Sequence, residues 1–293
     1  MSQASEKKII GTILVDRSGS MKLILPTLLK SLHSFIDEIK ECSKQATFNY
    51  FRLSTFSVTR HTIFPIYEEE VFGDINTLNN EDVDFHTYGC TKLIDSAIQE
   101  ADILNKKLDE LSNEDTMSWF VLLTDGEDNL SNTSHTVLHD KIKALKERGV
   151  SCIFMGANID AIKTGIDFGF EEKHSLQLDL NVRQSIDSAP LVNGFRAVSD
   201  NITQSFYDDT YDTSFSTVQR ISSAPSMYDN MDMDMDMNSD DEIDMMPPPL
   251  TRSSNLDDIP LNIMSPLEDG EDLLGVSIEV HEFEKMMESF SEL

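Results

Sequence analysis

Apolar and polar positions follow two rhythms along roughly the first two-thirds of the chain. Residues 9–15, Ile-Ile-Gly-Thr-Ile-Leu-Val, form a near-continuous β-branched run, the pattern of a central strand buried on both faces. A three-to-four-residue rhythm follows: Leu25, Leu28, Leu32, Phe35 or Ile36, and Ile39 predict a helix, with Pro26 in its first turn. Residues 48–58 and 61–67 read as two strands joined at Thr59-Arg60, and residues 68–89 as polar, irregular loop. Residues 91–108 return to helical period through Ile94, Ile98, Ala101, Leu104 and Leu108. Residues 119–123, 150–155 and 176–180 predict further strands. Helices are expected at 135–148, with Gly149 as the stop, and at 193–206, with Phe195, Val198, Ile202 and Phe206 on one stripe.

Strands alternating with helices imply an α/β fold, a doubly wound, mostly parallel sheet covered on both faces, with right-handed crossovers. The functional edge of such a sheet is the carboxyl end of its strands. Asp16, Asp125 and Asn158 each stand just past a predicted strand, so three distant segments are expected at one rim.

Beyond Tyr207 the periodicity dissolves. An alternating Met-Asp repeat over residues 231–237, Pro247-Pro-Pro249 and Ser/Asp-rich stretches follow. The expected organisation is a domain over residues 1–207 and an acidic, mostly disordered tail over 208–293, with a short amphipathic helix at 279–291 (Val280, Phe283, Met287, Phe290). Charge supports the division. Residues 1–206 carry 20 Lys+Arg against 31 Asp+Glu, a net of −11; residues 207–293 carry 3 against 22, a net of −19; together these make the −30 of the whole chain.

So acidic a chain argues against nucleic acid and anionic membrane as direct partners. No apolar run is long enough to span a bilayer, and residues 1–15 do not read as a secretory signal. Cys42, Cys90 and Cys152 are far apart and form no CxxC pair. Reduced thiols and a cytoplasmic location are therefore expected.

The segment with the most chemistry is Asp16-Arg17-Ser18-Gly19-Ser20. A carboxylate and two hydroxyls alternate along a tight loop after a buried strand. Hard cations take oxygen ligands, and Mg²⁺ wants about six of them at roughly 2.0–2.1 Å. Thr91 and Asp125 can contribute from neighbouring loops. With only two carboxylates opposing it, an ion held there stays electron-poor and keeps a position for an outside anion.

The set Asp16-x-Ser18-x-Ser20, Thr91 and Asp125-Gly126 resembles the metal-ion-dependent adhesion site of von Willebrand factor A-type domains. The contexts Gly89-Cys-Thr91-Lys-Leu-Ile-Asp95 and Leu123-Thr-Asp125-Gly-Glu match as well. Phe154-Met-Gly-Ala-Asn158-Ile-Asp160-Ala and Phe195-Arg-Ala-Val198-Ser resemble small cytosolic members from bacteria and phages. The resemblance covers residues 7–207. It implies Mg²⁺ or Mn²⁺ held by Ser18, Ser20 and Thr91, with Asp16 and Asp125 acting directly or through water. It also implies a protein partner that supplies an Asp or Glu. Lys92 departs from the pattern, where a Pro or small residue often follows the threonine.

Other constellations carry less. His135 and His139 share a helical face but lack an evident third ligand, and Asp232, Asp234 and Asp236 begin a calcium-loop pattern that fails at its later positions. Cys90 has no paired base in view, and Glu127 and Asp128 read as rim decoration. The chain has no G-x-x-x-x-G-K loop and no nucleophile with a base, so a non-enzymatic binding module is expected. Two alternatives stay open: an accessory subunit of a separate ATPase or metal-inserting machine, and a metal-dependent hydrolase.

Overall fold

The computed structural model describes residues 8–46, 48–65, 70–111, 116–157, 159–178, 189–208 and 210–223. In chain order the first elements are β1 (Lys8–Asp16), α1 (Leu25–Ser43), β2 (Phe48–Phe56), β3 (Arg60–Phe64), β4 (Gly73–Asp74) and α2 (Leu93–Leu111). Then come β5 (Thr116–Thr124), α3 (His135–Glu147), β6 (Ser151–Ala157), α4 (Ala161–Asp167), β7 (Ser175–Leu178), α5 (Ala189–Tyr207) and α6 (Thr217–Ser223).

The strands form one seven-stranded sheet in the order β3-β2-β1-β5-β6-β7, with β4 also on β2. β2, β1, β5, β6 and β7 run parallel, while β3 and β4 are antiparallel to β2. The expected mostly parallel α/β fold is thus present. Apolar residues alternate between its two faces. Ile13, Val15, Trp119, Val121, Ile153 and Met155 pack with α1 and α5. Ile10, Leu14, Phe120, Leu122, Cys152 and Phe154 pack with α2 and α3. Gly11 leaves room for the neighbouring strand's largest side chain, since a Cβ there would stand 2.0 Å from the Trp119 ring. Gly149, at φ +81°, ends α3: its N–H donates to Lys146 O, and Val150 N–H to Leu145 O, which satisfies the last carbonyls of the helix.

Two features differ from expectation. Residues 68–89 are not merely polar loop, because Phe72, Ile75, Leu78, Val83 and Phe85 are buried and β4 extends the sheet. Spaced singly among polar residues, they gave no periodic signal. The short helix α4 was not anticipated, because seven residues are too few to establish a 3.6-residue period. Packing contacts continue past Tyr207. Phe215 is 4% exposed and joins the core beneath α5, its N–H donating to Lys173 O, while Asn201 Nδ2 donates to Thr213 O. The chain divides into two units, Met1–Met233 and Asp234–Leu293, and the second lies wholly outside the described residues. So do the Met-Asp repeat and the helix expected at 279–291. Among the described residues no helix is long and apolar enough to cross a membrane.

A chain ending at residue 207 loses the Phe215 anchor. Deleting a buried Phe costs about 3–5 kcal/mol, which for a domain of this size lowers Tm by roughly 6–20 °C relative to a chain ending at 223. Thermal melts of the two truncations check this. Equal melting temperatures would show that the segment after α5 contributes nothing to the core.

Candidate metal centre

β1 and β5 are in-register neighbours, with Val15 opposite Leu123, so their carboxyl ends bring Asp16 and Thr124 side by side. Asp16 is fully buried. Its Oδ1 accepts the Ser18 N–H at 2.7 Å and its Oδ2 accepts the Thr124 hydroxyl at 2.6 Å. The first bond tightens the turn that follows β1, and the chain then enters a short 3-10 turn at Gly19–Leu23. This geometry turns Ser18 and Ser20 toward each other, with their hydroxyl oxygens 3.0 Å apart. Ser20 Oγ donates onward to Asp125 Oδ1 at 2.7 Å. Four of the five expected residues therefore form one connected polar group.

Thr91 completes the rim from a third segment. It is 4% exposed, and its hydroxyl faces the turn after β5: a Cβ added to Gly126 would lie 3.9 Å from Thr91 Oγ1. Backbone contacts tie the Thr91 segment to the loop after β1 and to the turn between β2 and β3. Tyr88 N–H donates to Arg17 O, Gly19 N–H to Gly89 O, and Lys92 N–H to Ser57 O. Gly89 has φ +72°, which only glycine adopts without strain. The Arg17 guanidinium donates to Tyr88 Oη at 2.8 Å and lies 4.6 Å from the centre of its ring. Lys92 pairs with Asp95 at 3.4 Å, clear of the five oxygen-bearing residues. Asn158 lies outside the described residues.

Sequence reading missed the groups that hold these loops. Thr124 supports Asp16 and also accepts the Gly126 N–H at 3.2 Å. Asn129 Oδ1 accepts the Thr91 N–H, and Asn129 N–H donates back to Thr91 O. Asp128, expected only to decorate the rim, accepts the N–H groups of Ile94 and Ser131 and so caps α2. Asp95 returns the contact by accepting from Asn132 and Thr133 N–H. Burial opposes its charge, but these bonds outweigh burial and hold its carboxyl below the usual range. A cluster of Asp, Asn and Ser after a strand was the available signal, but its partners are set by tertiary contact.

The electrostatics of the rim are set by burial. Burial pushes the Asp16 carboxyl above its ordinary value. Asp125 is pushed up to about 6, chiefly by burial and further by the charge of Asp16. Two desolvated carboxylates and three hydroxyls are an oxygen-only donor set that fits a hard divalent ion. Among the described residues no three His, Cys, Asp or Glu side chains gather as a metal cluster. Any ion here thus depends on the hydroxyls as much as on charge. All three cysteines are free, Cys90 being exposed beside Thr91, while burial pushes the Cys152 thiol up to about 12.

These shifts fix a pH dependence for the metal-free protein. A carboxyl whose folded pKa is raised binds more protons folded than unfolded between its ordinary value and the raised one. Asp125 therefore adds stability as pH falls from about 6 toward 4. His174 acts in the opposite sense, because burial, reinforced by Lys173, lowers its pKa. The difference between wild type and Asp125→Asn isolates the site. In chelator the variant is expected to melt above wild type at pH 7–8, and this advantage is expected to shrink as the pH approaches 4. Melting curves against pH check it; an advantage that grows on acidification contradicts the assignment.

The sequence matches no protein-family model and no curated protein. Solved structures do match. A von Willebrand factor type A protein from Catenulispora acidiphila superposes with a TM-score of 0.50 at 16% identity, covering 68% of this chain and 43% of that one. The pilus adhesin SpaC from Lactobacillus rhamnosus GG, in its open conformation, gives 0.51 at 12% identity, covering 68% of this chain and 30% of that one. This chain thus matches less than half the length of either relative. With its parallel sheet, flanking helices and element order, the chain has the von Willebrand factor A-type fold.

Proposed function

We propose that this chain is an intracellular, non-enzymatic protein-binding module whose metal-ion-dependent adhesion site engages a carboxylate of a partner protein. In this reading it is akin to the small cytosolic members of the family. The observation that carries the proposal is the hydrogen-bonded chain from Ser18 through Ser20 to Asp125, beside the buried Asp16. Ser18, Ser20 and Thr91 would hold Mg²⁺ or Mn²⁺ through hydroxyl oxygens, and Asp16 and Asp125 directly or through water. Bound there, the ion supplies a positive centre with a coordination position free for an Asp or Glu from outside.

The chain's own residues do the positioning. Thr124 and the Ser18 amide aim Asp16 and keep its carboxylate from rotating. Asn129 fixes the Thr91 backbone, and Gly126 keeps the space in front of its hydroxyl clear. Ser20 is exposed, and its side is where a partner approaches. The shell holds few carboxylates, so an ion's charge is not quenched, and attraction for an external carboxylate follows from that deficit.

Calorimetry with Mg²⁺ tests the site. Wild type is expected to bind about one ion per chain. Ser18→Ala combined with Ser20→Ala is expected to weaken binding at least tenfold, at a melting temperature in chelator within a few degrees of wild type. Equal uptake by both proteins removes the site. The function is tested by affinity capture in Mg²⁺ and in chelator. Proteins retained only with metal, and lost with the double variant, are expected; a retained set indifferent to both rules out a metal-dependent module.

A further inference from the structure

A groove of about 550 Å³ opens beside the Asp125 turn, between the amino ends of α2 and α3 and the whole of α4. Its floor is apolar, made by Ile94, Ile159 and Phe168. Its rim is acidic. Glu127, two residues past Asp125, stands at the edge toward the metal site, and Asp160 and Asp167 stand on the side of α4. Asp128 adds a fourth carboxylate, and the basic side chains that line the groove are Lys163 and His135.

These acids are not equivalent. Asp128 is committed to the Ile94 and Ser131 amides, and Asp160 to the Lys163 amide at the start of α4. The Glu127 and Asp167 carboxylates are exposed and take part in no hydrogen bond or ion pair among the described residues. Lys163, although it lines the same groove, pairs with neither. A solvated acidic rim is common on so acidic a chain; here the unpaired carboxylates border a groove that Ile94, Ile159 and Phe168 also line.

We propose that the groove receives a lysine or arginine side chain from the same partner segment whose carboxylate meets the metal site. This rests on the binding reading above. A long cationic side chain matches both parts of the groove: its aliphatic stem would lie against Ile94, Ile159 and Phe168, and its charged head would meet an unpaired rim carboxylate, Glu127 or Asp167. The recognised partner element is thus an acidic residue with a basic residue close by in space. The two contacts have opposite sign, so they fix the direction in which the segment crosses the rim. A segment laid in reverse would bring its cation to the metal and its carboxylate to the acidic groove.

The test uses the isotope-labelled full-length chain and small probes followed by amide NMR. In chelator, N-acetyl-arginine amide is expected to give saturable shifts at Ile94, Lys163 and Phe168. The charge-neutral N-acetyl-leucine amide and the anionic N-acetyl-glutamate amide are expected to bind at least fivefold more weakly. Glu127→Gln combined with Asp167→Asn, two exposed substitutions outside the metal set, is expected to weaken the arginine probe at least fivefold, and added salt to weaken it further. Absence of saturable shifts, equal binding of the leucine probe, or indifference to the double variant would overturn the proposal. This arm needs no metal, so its outcome is independent of whether Ser18 and Ser20 hold an ion. In Mg²⁺, a glycine-spaced peptide carrying both Glu and Arg is expected to bind several-fold tighter than its Glu and Gln counterpart, and equal affinities would overturn the link between the two sites.

Discussion

β1 is hydrogen-bonded along both edges and covered on both faces, and its last residue is a carboxylate. Much of the site follows from that constraint. A strand in this position cannot end in open solvent, so Asp16 is drawn into the interior, where an unpaired charge would be prohibitive. The chain meets the demand locally with the Ser18 amide and laterally with the Thr124 hydroxyl. The first contact shapes the turn that presents Ser18 and Ser20. The second couples that turn to β5 and hence to Asp125. The rim is thus a product of sheet register, and the loop residues complete what the register begins.

Much of this was legible in the residues. The buried strands announced themselves by β-branched runs, and the long helices by stripes such as Leu28, Leu32, Phe35 and Ile39. The five rim residues were readable because each stands directly after a strand or before a helix, where local order determines position. What escaped was tertiary. Nothing local marks Asn129 as the partner of Thr91, or Phe215 as a core residue beyond a helix that seemed to end the domain. A single aromatic among Asp, Ser and Thr has no period. Its burial depends on the surface left open by α5 and β7, and that surface exists only once the sheet has formed.

The least expected feature is a buried ionic cluster. Arg52 of β2 and Glu100 of α2 are fully buried, with Arg52 Nε 2.9 Å from Glu100 Oε2, and Arg60 of β3 reaches Glu100 Oε1 at 2.6 Å. Arg52 also donates to Thr62 Oγ1 and Val71 O. The apolar stripe of α2 gave no hint that Glu100 faces inward. Burying an ion pair adds little net stability, because desolvation offsets most of the attraction. Its value lies in geometry, since a carboxylate with two arginines accepts few alternative placements. Here it locks α2 against β2 and β3 in a single register.

That lock bears on the rim. α2 begins just after Thr91, and its first turn is capped by Asp128 from the loop after β5. The helix is therefore held at two polar points, one at the site and one two turns into the interior. On the proposed reading, these contacts would place Thr91 before a ligand arrives, so that binding would lose little to ordering. The metal-free state also satisfies itself with the same atoms an ion would use: the Ser20 hydroxyl donates to the Asp125 carboxylate, and the Ser18 oxygen lies beside it. On the proposed reading, an ion taken up at this rim would change its charge. The partner would then meet opposite charges at two neighbouring places on one rim, the metal site and the groove lined by Glu127 and Asp167.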